Sequence, residues 1–128
     1  MMGTRTLRTD MSDVFVFGSN LLGIHGKGAA KDALLYHGAV YGQGKGRQGK
    51  SYAIPTKSTP YEILPLEAIE EFVKEFLSYA NEHYEESFFV TAIGCGLAGY
   101  KVEQIAPMFK HAPDNVNLPQ SFLNVLKE

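Results

Sequence analysis

The 128-residue chain carries one cysteine, Cys95, so an internal disulfide and any multi-thiolate zinc site are excluded. It lacks a dominant charge: 12 basic and 14 acidic residues give a formal net charge of −2, without the basic field of a nucleic-acid binder. No apolar run reaches the roughly 18 residues of a membrane span, and the first residues lack the apolar core of a signal peptide. Repeats and low-complexity linkers are absent. His37, His83 and His111 are scattered without metal-ligand spacing, which assigns them to helix ends or the surface. These absences lead us to expect a cytoplasmic protein with no membrane or nucleic-acid partner, no metal site and no resident cofactor. Residues 1–128 are read as a single domain, with polar, aperiodic residues 1–12 as a partly frayed terminus.

What is present in excess is glycine. Thirteen residues make about 10% of the chain against a usual figure of about 7%, and they are clustered. Gly18, Gly23, Gly26 and Gly28 form one group, Gly38, Gly42, Gly44, Gly46 and Gly49 a second, and Gly94, Gly96 and Gly99 a third. Such clusters mark tight turns or loops whose backbone approaches a ligand, and the flanking elements decide between the two.

The apolar run 14–17 predicts a buried strand, followed by a helix over about 29–37 stopped by Gly38. Residues 51–54 predict a second strand closed by Pro55 and Pro60. Between 64 and 84, Leu66, Ile69, Phe72, Val73, Phe76, Leu77 and Ala80 recur at helical spacing. Residues 87–93 predict a strand, 102–110 a short helix, 115–118 a last strand, and 122–126 a closing helical turn. Strands alternating with helices indicate an α/β domain with a mixed or parallel sheet. In such sheets ligands sit where loops leave the carboxyl ends of strands. The first and third glycine groups occupy that place, and each precedes a helix whose free N–H groups favour an anion. Facing each other, they would hold a diphosphate.

The second group contains a decoy. Gly44-Lys45-Gly46-Arg47-Gln48-Gly49-Lys50-Ser51 satisfies the phosphate-loop pattern G-x-x-x-x-G-K-[ST], and also G-x-G-x-x-G. Both need a helix to follow, and here Ser51-Tyr52-Ala53-Ile54-Pro55 reads as a strand. The segment is therefore expected to be a mobile basic hairpin over a site, with Lys45, Arg47 and Lys50 in reach of a phosphate.

The other two groups resemble a known family. Phe17-Gly18-Ser19-Asn20 with Gly23-Ile24-His25-Gly26-Lys27-Gly28-Ala29-Ala30 looks like the loop that opens a macrodomain site. Thr91-Ala92-Ile93-Gly94-Cys95-Gly96-Leu97-Ala98-Gly99-Tyr100 looks like the second macrodomain phosphate loop. The resemblance runs from about Val14 to Phe109. Within the family, Ile93-Gly94-Cys95-Gly96-Leu97 and Ile54-Pro55-Thr56-Lys57 are most similar to the terminal ADP-ribose protein glycohydrolase branch. The resemblance implies a three-layer α/β/α sandwich with a mixed central sheet. It also implies a small-molecule ADP-ribose-type ligand or an ADP-ribosylated substrate, held between the two glycine loops.

On this resemblance Gly18, Ser19, Asn20, Gly23, Ile24, Gly26, Gly28 and Ala29 line the cleft from one side. Ile93, Gly94, Cys95, Gly96, Leu97, Ala98, Gly99 and Tyr100 line it from the other, with Asn20 orienting the distal ribose. Lys57 matches the branch's nucleophilic lysine, but Ala98 stands where the branch has its aspartate, and a lysine needs such a partner to move protons. The Gly-Asp pair whose carboxylate reads adenine in the family has no clear counterpart here. His25, whose imidazole titrates near neutrality, and Lys57 are the candidate catalytic groups. A hydrolase acting at the distal ribose (on ADP-ribose 1″-phosphate or an ADP-ribosyl ester) and a non-catalytic binding module both stay open on these residues.

Overall fold

A computed structural model describes residues 13–127. Its elements run β1 (Val14–Asn20), α1 (Gly28–Tyr36), β2 (Gly46–Gln48), β3 (Ser51–Thr59), β4 (Glu62–Ile63), α2 (Leu66–Glu82), β5 (Phe88–Val90), α3 (Val102–Ile105), a 3₁₀ turn (Ala106–Phe109), β6 (Val116–Asn117) and α4 (Gln120–Leu126). The sheet order is β2-β3-β1-β5-β6, with β4 also paired to β3. β1 is parallel to β3 and β5, and β5 to β6; β2 and β4 run antiparallel to β3. The sheet is mixed, and β1 lies in its interior, which is why 14–17 is continuously apolar.

Alternation along β1 builds a core on each face. Val14 and Val16, with Tyr52 and Ile54 of β3, pack under Ile69, Val73, Phe76 and Ala80 of α2 and Ile105 and Phe109 beyond it. Phe17 and Ala53 face the other way, toward Ala30 and Ala33 of α1. The result is a three-layer sandwich: α1 on one face, and α2, α3, the 3₁₀ turn and α4 on the other.

Several predicted boundaries move for identifiable reasons. Pro55 does not close β3; the strand continues to Thr59. Pro55 pairs with Ser19, and the next pair is Asn20 with Lys57, so Thr56 is an extra residue opposite the β1 strand. That bulge accommodates the missing N–H of the proline. The 87–93 run is a strand only over Phe88–Val90. Beyond it, Thr91 turns both its N–H and its hydroxyl onto the Val16 carbonyl, at 3.0 and 2.8 Å. The helix expected over 102–110 tightens to 3₁₀ geometry at Ala106, because Pro107 removes a helical N–H. Residues 1–12, expected to be partly frayed, lie outside the described residues.

Candidate functional site

The first glycine loop leaves the carboxyl end of β1 and enters α1. The Asn20 carboxamide spans it: Nδ2 donates to the Ile24 carbonyl at 2.9 Å, and Oδ1 accepts from the Ile24 N–H at 3.1 Å. Asn20 thus fixes the loop through local backbone, while its Nδ2 keeps a second hydrogen. Gly23 has φ +74°, and a Cβ there would lie 2.3 Å from the Gln43 nitrogen. Ser19 Oγ donates to the Gly44 carbonyl at 2.5 Å, and Gly42 N–H to the Gly23 carbonyl at 2.9 Å. The stretch 42–44 is therefore packed directly behind the first loop.

His25 sits in the interior. The expected catalytic imidazole is 1% exposed, edge-on to the Phe17 ring at 5.2 Å. Its Nε2 lies 3.1 Å from the Gln43 carbonyl and 3.2 Å from Gln48 Oε1. Both neighbours are acceptors, which assigns the proton to Nε2. Nδ1 is buried with no hydrogen-bond partner among the described residues. The imidazole holds the loop from beneath and presents neither nitrogen to solvent. Gln48, which no sequence pattern singles out, is the hub of this arrangement. It is 3% exposed; its Oε1 accepts from Val40 N–H at 2.8 Å, and its Nε2 donates to the Gln43 and Gly46 carbonyls at 3.1 and 3.3 Å. A polar residue between Arg47 and Gly49 in a glycine-rich stretch carries no pattern that announces burial.

The second loop follows β5. Ile93 is buried, and Gly94, at φ +75°, lies so close to Ile105 that an added Cβ would be 3.0 Å from its Cδ1. Cys95 N–H donates to the Ala92 carbonyl, Gly99 N–H to Gly96 and Tyr100 N–H to Gly94. The N–H groups of Gly96, Leu97 and Ala98 make no hydrogen bond among the described residues, nor do those of Gly26, Gly28 and Ala29 in the first loop. The loops meet where Leu97 Cδ1 comes 3.8 Å from the Cβ position of Gly28. Leu97 is exposed, as are Leu21 and Leu22. Gly18 lies between the loops, its Cβ position 3.6 Å from the Gly94 nitrogen.

The remaining candidates have defined places. Lys57 pairs with Asn20 two residues before the end of β3, and its Nζ donates to the Pro60 carbonyl at 3.1 Å. Thr56 is buried and donates to the Ser19 carbonyl at 3.4 Å, behind the Gly18 backbone. Ala98 is buried, so the position matching the family's aspartate contributes a methyl group. Cys95 is half-buried; burial, and then Glu103, pushes its thiol above the ordinary range, the opposite of an activated nucleophile. The Tyr100 hydroxyl donates to the Leu64 carbonyl at 2.6 Å, tying the second loop to the start of α2. Among the described residues no group of three or more His, Cys, Asp or Glu side chains could hold a metal ion. No helix among them is long and apolar enough to cross a membrane.

The phosphate-loop decoy resolves into β2 and the start of β3, with no helix after it. The expectation of a mobile hairpin over the site is corrected. Arg47 turns to α2 and forms a two-bond pair with Glu86, at 2.9 and 3.1 Å, and a third bond to the Tyr79 hydroxyl at 2.9 Å. Lys45 lies 3.4 Å from Glu75 and 5.5 Å from the centre of the Phe72 ring. Charge pairing with α2 directs these two side chains away from the glycine loops.

No protein-family model matches the chain, and no curated protein matches it. Among solved structures it is similar to DarTG of Thermosipho africanus, determined in complex with ADP-ribose, with a TM-score of 0.62 and 16% identity. The match covers 91% of this chain and 43% of that one, so this chain spans less than half the length of that protein. The two share a fold, here a mixed α/β sandwich.

Proposed function

We propose that the protein binds ADP-ribose or a close derivative, free or attached to another molecule, with the diphosphate between the two glycine loops. The observation that carries this reading is the pair Gly26 and Gly96. Neither has a positive φ, and a Cβ on either would meet nothing within 4 Å. Chain folding alone therefore does not require glycine at these positions; close approach of a ligand to the backbone does. The unbonded N–H groups beside them supply anion donors, with the amino end of α1 adding its dipole. The neighbour of similar fold was solved with ADP-ribose, which supports the choice of nucleotide. The second amide hydrogen of Asn20 is a donor for a distal-ribose hydroxyl, and Leu97 crosses the diphosphate.

A second reading adds hydrolysis at the distal ribose, as in the glycohydrolase-like branch. It is favoured by Lys57 standing beside Asn20 near the carboxyl end of β3. There Lys57 would contact the distal ribose or its substituent, with His25 positioning the loop and water as the nucleophile. Burial of His25 and the methyl group of Ala98 favour binding without turnover.

Calorimetric titration with ADP-ribose, and with ATP plus magnesium in parallel, tests the proposal. Saturable ADP-ribose binding is expected, lowered at least tenfold in Gly26→Val and Gly96→Val, a loss of about 1.4 kcal/mol. The melting temperature of both variants should stay near that of the parent. Unchanged affinity in both variants, or ATP binding without ADP-ribose binding, overturns it.

A further inference from the structure

Beneath the first glycine loop lies a titratable ring that the binding reading uses only for its shape. His25 is 1% exposed, and its Nε2 faces two oxygens, the Gln43 carbonyl at 3.1 Å and Gln48 Oε1 at 3.2 Å. Both oxygens accept, so Nε2 keeps its hydrogen whether the ring is neutral or charged. Protonation therefore breaks neither of these contacts. Nδ1 is the nitrogen that changes; it is buried and makes no hydrogen bond among the described residues. Buried polar atoms are rarely left unpaired.

The groups around the ring leave its charge to be set by a ligand. Phe17 from β1, Gln43 behind the loop and Gln48 from β2 pack on it, and none of them is ionisable. Lys45 and Arg47, on and beside β2, turn away to Glu75 and Glu86. Lys27, Lys31 and Asp32, at the start of α1, are exposed and form no ion pair among the described residues. No described carboxylate pairs with the ring, so a charge on it in the free protein is buried without a counter-charge. The next residue in the chain is Gly26, whose unbonded N–H is one of the donors assigned to the diphosphate. A diphosphate there brings two negative charges beside the ring, and an opposite charge close by favours the charged form. The other histidines lie outside both loops. His37 stacks on Phe15 after α1, His83 is bonded to Tyr79 after α2, and His111 follows the 3₁₀ turn. Burial pushes the Cys95 thiol up, away from the range in which imidazoles titrate.

We propose that binding in the cleft is linked to proton uptake: His25 takes a proton from solvent onto Nδ1 as the diphosphate settles on the first loop. The ligand stabilises the charged ring, so affinity rises as pH falls through the imidazole range, about 8 to 5, and levels off below it. This linkage rests on the ADP-ribose reading and can fail without it.

The test is calorimetric titration with ADP-ribose at several pH values, each in two buffers of different ionisation enthalpy, which reads both affinity and protons taken up. Affinity about tenfold higher at about pH 6 than at about pH 8 is expected, with net uptake between them. Carbon-13 and nitrogen-15 spectra of the imidazoles follow the ring in the unaltered protein. The imidazolium fraction of His25 should rise on saturation with ADP-ribose at constant pH. His25→Gln offers a donor to the same two oxygens and does not titrate; once melting curves confirm that it folds, its affinity should no longer change over this range. Binding without pH or buffer dependence, or an imidazolium fraction unmoved by saturation, overturns the linkage and leaves the binding reading standing. A pH dependence kept in folded His25→Gln assigns the proton to another group and overturns the role of His25. Absence of ADP-ribose binding at every pH overturns both.

Discussion

The second glycine group and the two cleft loops share a composition and differ in what the glycines are for. In the second group the fold itself accounts for them, through close packing at Gly38, Gly44 and Gly49 and a positive φ at Gly42 and Gly46. Gly49, at φ +61°, lies so close to Gly38 that an added Cβ would be 2.5 Å from the Gly38 carbonyl oxygen. A Cβ on Gly44 would be 2.3 Å from the Asn20 carbonyl oxygen. At Gly26 and Gly96 the same construction meets open space. Glycine count therefore does not separate the two kinds of loop; glycine that folding does not require does. Within the decoy motif Gly44 is packed behind the first loop, Gly49 against Gly38, and Gly46 has φ +88°.

The comparison can be broken at graded cost. The largest effect is expected from Gly49→Ala, which adds both left-handed strain and a backbone clash. Urea denaturation should show a loss of about 3 kcal/mol, and near-parent stability would mean the Gly38–Gly49 contact is not required. Next is Gln48→Ala, which strands the Val40 N–H and leaves the His25 Nε2 proton only the Gln43 carbonyl. A loss of about 2 kcal/mol is expected, with ADP-ribose affinity weakened beyond what the melting temperature accounts for, since the first loop loses its support. Full affinity in a folded Gln48→Ala protein would show that the loop holds its shape unaided.

The smallest effect concerns the anchor of the hairpin. Arg47 holds the Glu86 carboxyl below its ordinary range, mainly through the side-chain hydrogen bonds, and Glu86 in turn raises Arg47. A depressed folded-state carboxyl pKa contributes stability above the unfolded value, and that contribution fades as pH falls from the ordinary carboxylate range toward the folded pKa. Glu86→Gln should cost about 1 kcal/mol at pH 7 and flatten the acid limb of the stability curve. An acid limb identical to the parent's would remove Glu86 from the set of groups that titrate it.

Legibility followed locality. Strand 14–17, the α2 stripe and the placement of two glycine loops at the carboxyl ends of strands come from short-range periodicity and turn chemistry, and all three are present. The rejection of the phosphate-loop pattern was equally local, because Ser51-Tyr52-Ala53-Ile54 is a strand wherever it is placed. Side-chain roles were read less well. His25 looked like an accessible base because it lies between glycines; that it is buried depends on Phe17, Gln43 and Gln48, up to 23 residues away. Arg47 and Lys45 looked available for a phosphate until Glu86 and Glu75, 39 and 30 residues further on, were brought beside them.

The sequence by itself determined the class of the chain, the order of its main elements and the positions of the glycine loops. Each of these depends on residues within a turn or two of one another. The tertiary structure decided which glycines the fold consumes, which way each charged side chain turns and whether a histidine meets solvent. Burial and pairing are properties of segments distant in the chain, and no local pattern encodes the face on which they meet.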